Sequence, residues 1–126
     1  MKNRPRLLSP TLRPKKRYIA FQVIAENGQK FTFDEIANVI WHALAEFAGE
    51  INAALSRMWV MKDLWEEERM TGVIRCSHTA VELVRSALVL IDRIGDTRVA
   101  FLILGVSGTV KGVRRKFLMR KTLEDF

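Results

Sequence analysis

Apolar and polar positions alternate from Tyr18 to Ile24, with Ile19, Phe21 and Val23 on one side and Tyr18, Ala20 and Gln22 on the other. That two-residue period is the pattern of a strand with one buried face. Asn27-Gly28 marks the turn out of it. From Thr32 the period changes. Thr32 and Glu35 have capping-box spacing, Phe31 and Ile36 are placed to staple the start, and Ile36, Ile40, Trp41, Leu44, Phe47 and Ala48 recur at helical spacing up to Gly49. A mostly apolar stretch, Met58 to Trp65, reads as a second strand ending in a hairpin over Glu66, Glu67 and Glu68, and Thr71 to Cys76 reads as a third. Gly72 in that third strand marks a bulge or a close backbone approach. Thr79 and Glu82 repeat the capping-box spacing, and Val81, Val84, Ala87, Leu88, Ile91 and Ile94 predict a second amphipathic helix running to Gly95. A fourth strand, Val99 to Leu104, is apolar at every position. After it, Gly105 and Gly108 free the backbone to turn, Ser107 and Thr109 can cap, and Val110, Val113 and Phe117 give one apolar stripe to a final helix.

The order β-α-β-β-α-β-α predicts an α+β fold: a ferredoxin-like (RRM-like) βαββαβ sandwich on a four-stranded antiparallel sheet, with an added C-terminal helix. Two helices cover one sheet face. The other face carries too many apolar residues to be left to water, so either the C-terminal helix folds back over it or a protein partner does.

Charge divides the chain differently from hydropathy. Residues 1 to 17 contain seven Lys or Arg, no acid and three prolines, a composition that disfavours helix and predicts a basic arm ahead of one domain over 18 to 126. Residues 18 to 110 are net acidic. Lys111, Arg114, Arg115, Lys116, Arg120 and Lys121 then crowd the final helix, and the whole chain carries +7. Positive charge segregated to two ends of an acidic body predicts a surface for a polyanion such as RNA. The candidate contacts are Lys15, Lys16 and Arg17 in the arm, Gly105, Ser107 and Gly108 in the turn, where backbone N–H groups favour anions, and Lys111, Arg114, Arg115 and Lys116 on the helix.

Catalytic chemistry has little to stand on. His42 and His78 are isolated, Cys76 reads as a small buried residue, and three consecutive glutamates in a turn lack the alternating ligands of a calcium loop. No catalytic residue and no metal ligand is therefore assigned. A single cysteine fits a reducing compartment, and no apolar stretch approaches a membrane span, so a cytoplasmic protein without a membrane partner is expected. The third strand, TGVIRC, has no aromatic residue, which argues against base readout in the RRM manner and leaves Tyr18 as the one obvious open-face candidate.

The stretches RPRLLSPTLRPKKRYIAF (Arg4 to Phe21), GVIRC (Gly72 to Cys76) and GVSGTVK followed by RRKFL (Gly105 to Leu118) resemble the archaeal ribonuclease P protein component 2 family. The resemblance implies a non-catalytic subunit of an enzyme that frees the mature 5′ end of precursor tRNA. The active site would lie in the RNA, with magnesium held by that RNA and no cofactor held by this chain. It further implies ribonuclease P RNA and the barrel-shaped protein component 3 as partners, self-association into a heterotetramer, and indirect contact with precursor tRNA. Charge and fold alone would also admit a generic structured-RNA-binding or ribosome-associated module, or a small-molecule-binding regulatory domain.

Overall fold

A computed structural model describes residues 15–118. The central strand β1 (Lys16–Ala25) pairs antiparallel with β3 (Thr71–Ser77) on one side and with β5 (Thr97–Ser107) on the other. Two short edge strands complete the sheet in the order β2-β3-β1-β5-β4, where β2 is Trp59–Val60 and β4 is Arg93–Ile94. The class expected from sequence is present, with five strands in place of four. The additional strand is β4, which folds back on β5 across Gly95-Asp96, with Arg93 opposite Arg98 and Ile94 opposite Thr97. Gly95 takes φ +63°, a conformation that opens a tight hairpin, so the glycine expected to end a helix turns a hairpin instead.

Helix α1 (Phe33–Ala48) starts where the sequence places it. The Thr32 hydroxyl accepts from the Glu35 backbone N–H and the Glu35 carboxylate accepts from the Thr32 backbone N–H, closing the capping box. Gly49 ends the helix at φ +87°, and a short α2 (Glu50–Leu55) that the sequence pattern did not announce follows at once. Helix α3 is shorter than expected, Val81–Val89, and begins without the second capping box. Ala80 occupies the cap position there, the Ser77 hydroxyl accepts from the Thr79 N–H one turn earlier, and Glu82 pairs with Arg85 at 3.5 Å. Past Leu90 the chain leaves the helix, so Ile91 is buried from the loop and Ile94 packs, half-buried, against the core from the β4 hairpin.

The main core lies between the sheet and α1, α2 and α3. Ile19, Phe21 and Val23 of β1, Ile74 and Cys76 of β3, and Val99 and Phe101 of β5 meet Ile36, Ile40, Leu44, Val84 and Leu88 there. Gly72 is a close approach, as expected: a Cβ on it would stand 2.8 Å from Phe21 Cζ and 2.9 Å from Trp65 Cε3. The run from Met58 to Trp65 is not one strand. After Val60 it bends into a 3-10 turn at Lys62–Leu64, because its apolar residues serve two cores: Met58, Val60 and Trp65 pack toward the helices, Met61 and Leu64 toward the opposite face. The three glutamates are exposed on the hairpin closed by Glu66 and Thr71.

Cys76 is buried, and desolvation pushes its thiol pKa up to about 11. The thiolate is the reactive form, so at pH 8 the native protein is expected to react with a thiol reagent roughly a hundredfold more slowly than the urea-unfolded chain. Equal rates in the two states would show that the strand end opens freely.

Candidate nucleic-acid interface

The second sheet face is covered by the chain itself, one of the two outcomes expected. Helix α4 (Val110–Val113) continues into a π-helical turn, Arg114–Leu118, and lays Val113, Phe117 and Leu118 on Ala20, Val73, Met61 and Leu104. A bulge in β5 makes the seat. Ala20 pairs with Gly105 but Phe21 pairs with Ile103, so Leu104 is an extra residue and Leu104 and Gly105 face the same layer in succession. The Phe117 ring lies directly over Gly105, where any Cβ would overlap it. Arg69 donates to the Leu118 carbonyl at 3.4 Å and pins the far end of the segment.

That packing explains how a cationic helix is held with its charges outward. Val113 is wholly buried, whereas Lys111, Arg114, Arg115 and Lys116 are exposed. Among the described residues no carboxylate pairs with Lys111, Arg114 or Arg115. The turn leading into α4 is built as the sequence suggested: the Thr109 hydroxyl accepts from the Gly112 N–H at 2.9 Å, and the Ser107 hydroxyl accepts from the Thr109 N–H at 3.4 Å. Ser107 thus spends its oxygen on the turn. Gly108 is exposed, and Gly105 lies beneath Phe117, apart from the cations.

Lys16 and Arg17, read from sequence as the end of the arm, open β1, while residues 1 to 14 lie outside the described residues, as do Arg120 and Lys121. The start of β1 is held to the helical layer by His78, whose backbone N–H donates to the Lys15 carbonyl at 2.8 Å and whose Nδ1 lies 3.3 Å from the same oxygen. Arg17 Nη1 donates to the Lys16 carbonyl at 2.9 Å and stands 3.8 Å from where a Cβ on Gly108 would be. The two basic clusters, separated by more than ninety residues of sequence, therefore meet at one end of the sheet. The pairing of Tyr18 with Ser107 brings them together. Among the described residues, no group of three His, Cys, Asp or Glu side chains is placed to hold a metal ion, and no helix is long and apolar enough to cross a membrane.

The seat under Phe117 makes a sharp prediction. Gly105→Ala is expected to cost about 1–3 kcal/mol through overpacking, and the cost should largely vanish when Phe117 is already alanine. Urea denaturation of the two single variants and the double variant measures this coupling. Additive effects would mean that ring and glycine do not touch.

Residues 17–118 match the model of the Rpp14/Pop5 family. The chain is 45% identical over 118 residues to ribonuclease P protein component 2 of Pyrococcus furiosus, an alignment that covers 94% of this chain and 95% of that protein. It is 35% identical to the protein of the same name in Methanothermobacter thermautotrophicus, covering 90% and 93% of the two. Among solved structures, a chain of the yeast ribonuclease MRP particle has the same fold, with a TM-score of 0.59 at 15% identity over 90% of this chain and 92% of that one. With most of its length matched both by the family model and by relatives of this identity, the chain belongs to the Rpp14/Pop5 family.

Proposed function

We infer that this chain is a protein subunit of ribonuclease P, binding and stabilising the catalytic RNA so that the holoenzyme cleaves precursor tRNA to give the mature 5′ end. The observation that carries the reading is the approach of Arg17, at the start of β1, to Gly108 in the turn that leads into the outward cations of α4, on a chain of this family. Lys15, Lys16, Arg17, Lys111, Arg114, Arg115 and Lys116 neutralise phosphates of a folded RNA and release its counterions. Ser107 serves by shaping the turn, and Gly105 by seating the Phe117 ring that anchors α4. The endonuclease chemistry and its magnesium belong to the RNA, and this chain positions and steadies them without a catalytic residue of its own.

Protein partners are part of the same reading. The barrel-shaped component 3 and a second copy of this chain are the partners proposed, with precursor tRNA reached indirectly. Support comes from the helical side, where Phe47, Ile51 and Leu55 are exposed, Ile51 to 76%. Apolar residues recurring along α1 and α2 suit a protein surface better than an RNA.

Binding of the full chain to its cognate ribonuclease P RNA and to an unrelated structured RNA of equal length, over a range of salt concentrations, tests the reading. A linear fall of log affinity with log salt is expected, together with tighter binding to the cognate RNA. Equal affinity for both would reduce the chain to a generic RNA-binding module, and ligand-dependent thermal stabilisation without RNA binding would favour a small-molecule regulatory domain.

A further inference from the structure

The registers of three strand pairs align one row of residues across the sheet. Trp59 of β2 lies opposite Arg75 of β3, Arg75 opposite Tyr18 of β1, and Tyr18 opposite Ser107 of β5. The next residues inward, Val60, Ile74 and Ile19, belong to the helix-side core, so alternation puts the row on the other face. Two residues along each strand on that face lie Met61, Val73 and Ala20, which the C-terminal segment covers. The row borders that cover, with Tyr18 packed partly against it and Trp59 outside it. Trp59, at the sheet edge, is 61% exposed and also borders a groove against Phe33, Ala37 and Trp41, while Arg75, Tyr18 and Ser107 are partly exposed.

Composition and placement say what such a row suits. Two aromatic residues flank an arginine at strand spacings of about 5 Å, close to the dimensions over which a base can stack on one residue and be held by the next. No carboxylate stands in the row. Its Ser107 end runs into the turn that leads to α4 and stands beside Arg17 of β1, and Lys16 lies two residues from Tyr18 on the same strand. Arg75 stands inside the row and Lys16 two residues from Tyr18, while Arg17 and the cations of α4 lie at its Ser107 end, so a strand of RNA entering over those phosphate-binding groups would run along the row toward the indole.

We propose that Trp59, Arg75 and Tyr18 form a stacking platform for an unpaired nucleotide of the bound RNA. The proposal rests on the reading of the chain as an RNA-binding subunit and adds a base contact to its phosphate contacts. Trp59 supplies the ring face, Arg75 a cationic plane beside it, and Lys16 the adjoining phosphate contact. It also revises the sequence-based argument against base contact, which considered the first and third strands and not the edge strand where Trp59 sits.

The test uses the full chain carrying Trp59→Leu, Trp59→Phe or Arg75→Ala, titrated with ribonuclease P RNA and with a short oligoadenylate. Trp59→Leu, which keeps apolar bulk without the ring, should weaken both complexes by roughly 5- to 150-fold, and Trp59→Phe should retain most of the affinity. Arg75→Ala should weaken both as well. The salt slope should not move with either Trp59 variant, because no phosphate contact is removed. Wild-type affinity in Trp59→Leu, or a loss confined to binding of protein component 3, would overturn the platform. Both results leave the phosphate-binding reading intact, since that reading falls on a wild-type affinity independent of salt or on a salt slope unmoved by the α4 charge variant.

Discussion

Phe21→Ala is expected to destabilise the domain by about 3–5 kcal/mol. Phe21 has no exposed surface and stands in the middle of the central strand. Its ring stacks between Trp65 and Phe101, with centroids at 6.2 and 5.8 Å, and fills the space that Gly72 leaves open on the neighbouring strand. Both sheet neighbours are fixed by backbone pairing, so the walls of the vacated volume have little freedom to collapse, and the cavity cost adds to the lost burial. Phe21→Leu keeps most of the volume and should cost less than about 1.5 kcal/mol. Urea denaturation measures both. A loss below about 1 kcal/mol for Phe21→Ala would contradict the tight packing described around it, because a site that empties so cheaply is one that collapses.

The second large effect is on RNA. Replacing Lys111, Arg114 and Arg115 together with alanine should lower the salt slope of log affinity by about 2–2.7, at roughly 0.7–0.9 per phosphate contact. The fold should be retained, because all three side chains are exposed and α4 is held by Val113 and Phe117 from the other side. Lys111 shares α4 with the buried Val113 and is the one of the three closest to the turn, so each single variant should remove about one contact and no more. Weaker neutralisation leaves more repulsion for metal ions to offset, so cleavage by the assembled particle should require more magnesium. An unchanged slope with unchanged cleavage would remove α4 from the RNA surface.

What could be read in the chain before its structure depended on how local the signal was. The start of α1 was legible because a capping box and a staple are complete within a few residues. The end of α3 was not, since a glycine with positive φ suits a helix terminus and a hairpin equally, and only the pairing of Arg93 and Ile94 with β5 distinguishes them. Met58 to Trp65 misled for a related reason: its apolar residues are divided between two cores, which a linear pattern shows as one run. Charge segregation exposed the cations of α4 and the start of β1, but their meeting at Gly108 is a matter of strand register. Trp59 was hidden likewise. Its alignment with Arg75 and Tyr18 is a property of three strands together and of no single stretch of sequence.

The most direct measurement of the central claim is reconstitution: cognate ribonuclease P RNA, protein component 3 and labelled precursor tRNA, assayed with and without this chain at limiting magnesium. Release of the 5′ leader that depends on the added chain, and that weakens with the Lys111, Arg114 and Arg115 variant, is the predicted result. Leader release unaffected by the chain, in spite of RNA binding, would contradict the assignment as a ribonuclease P subunit.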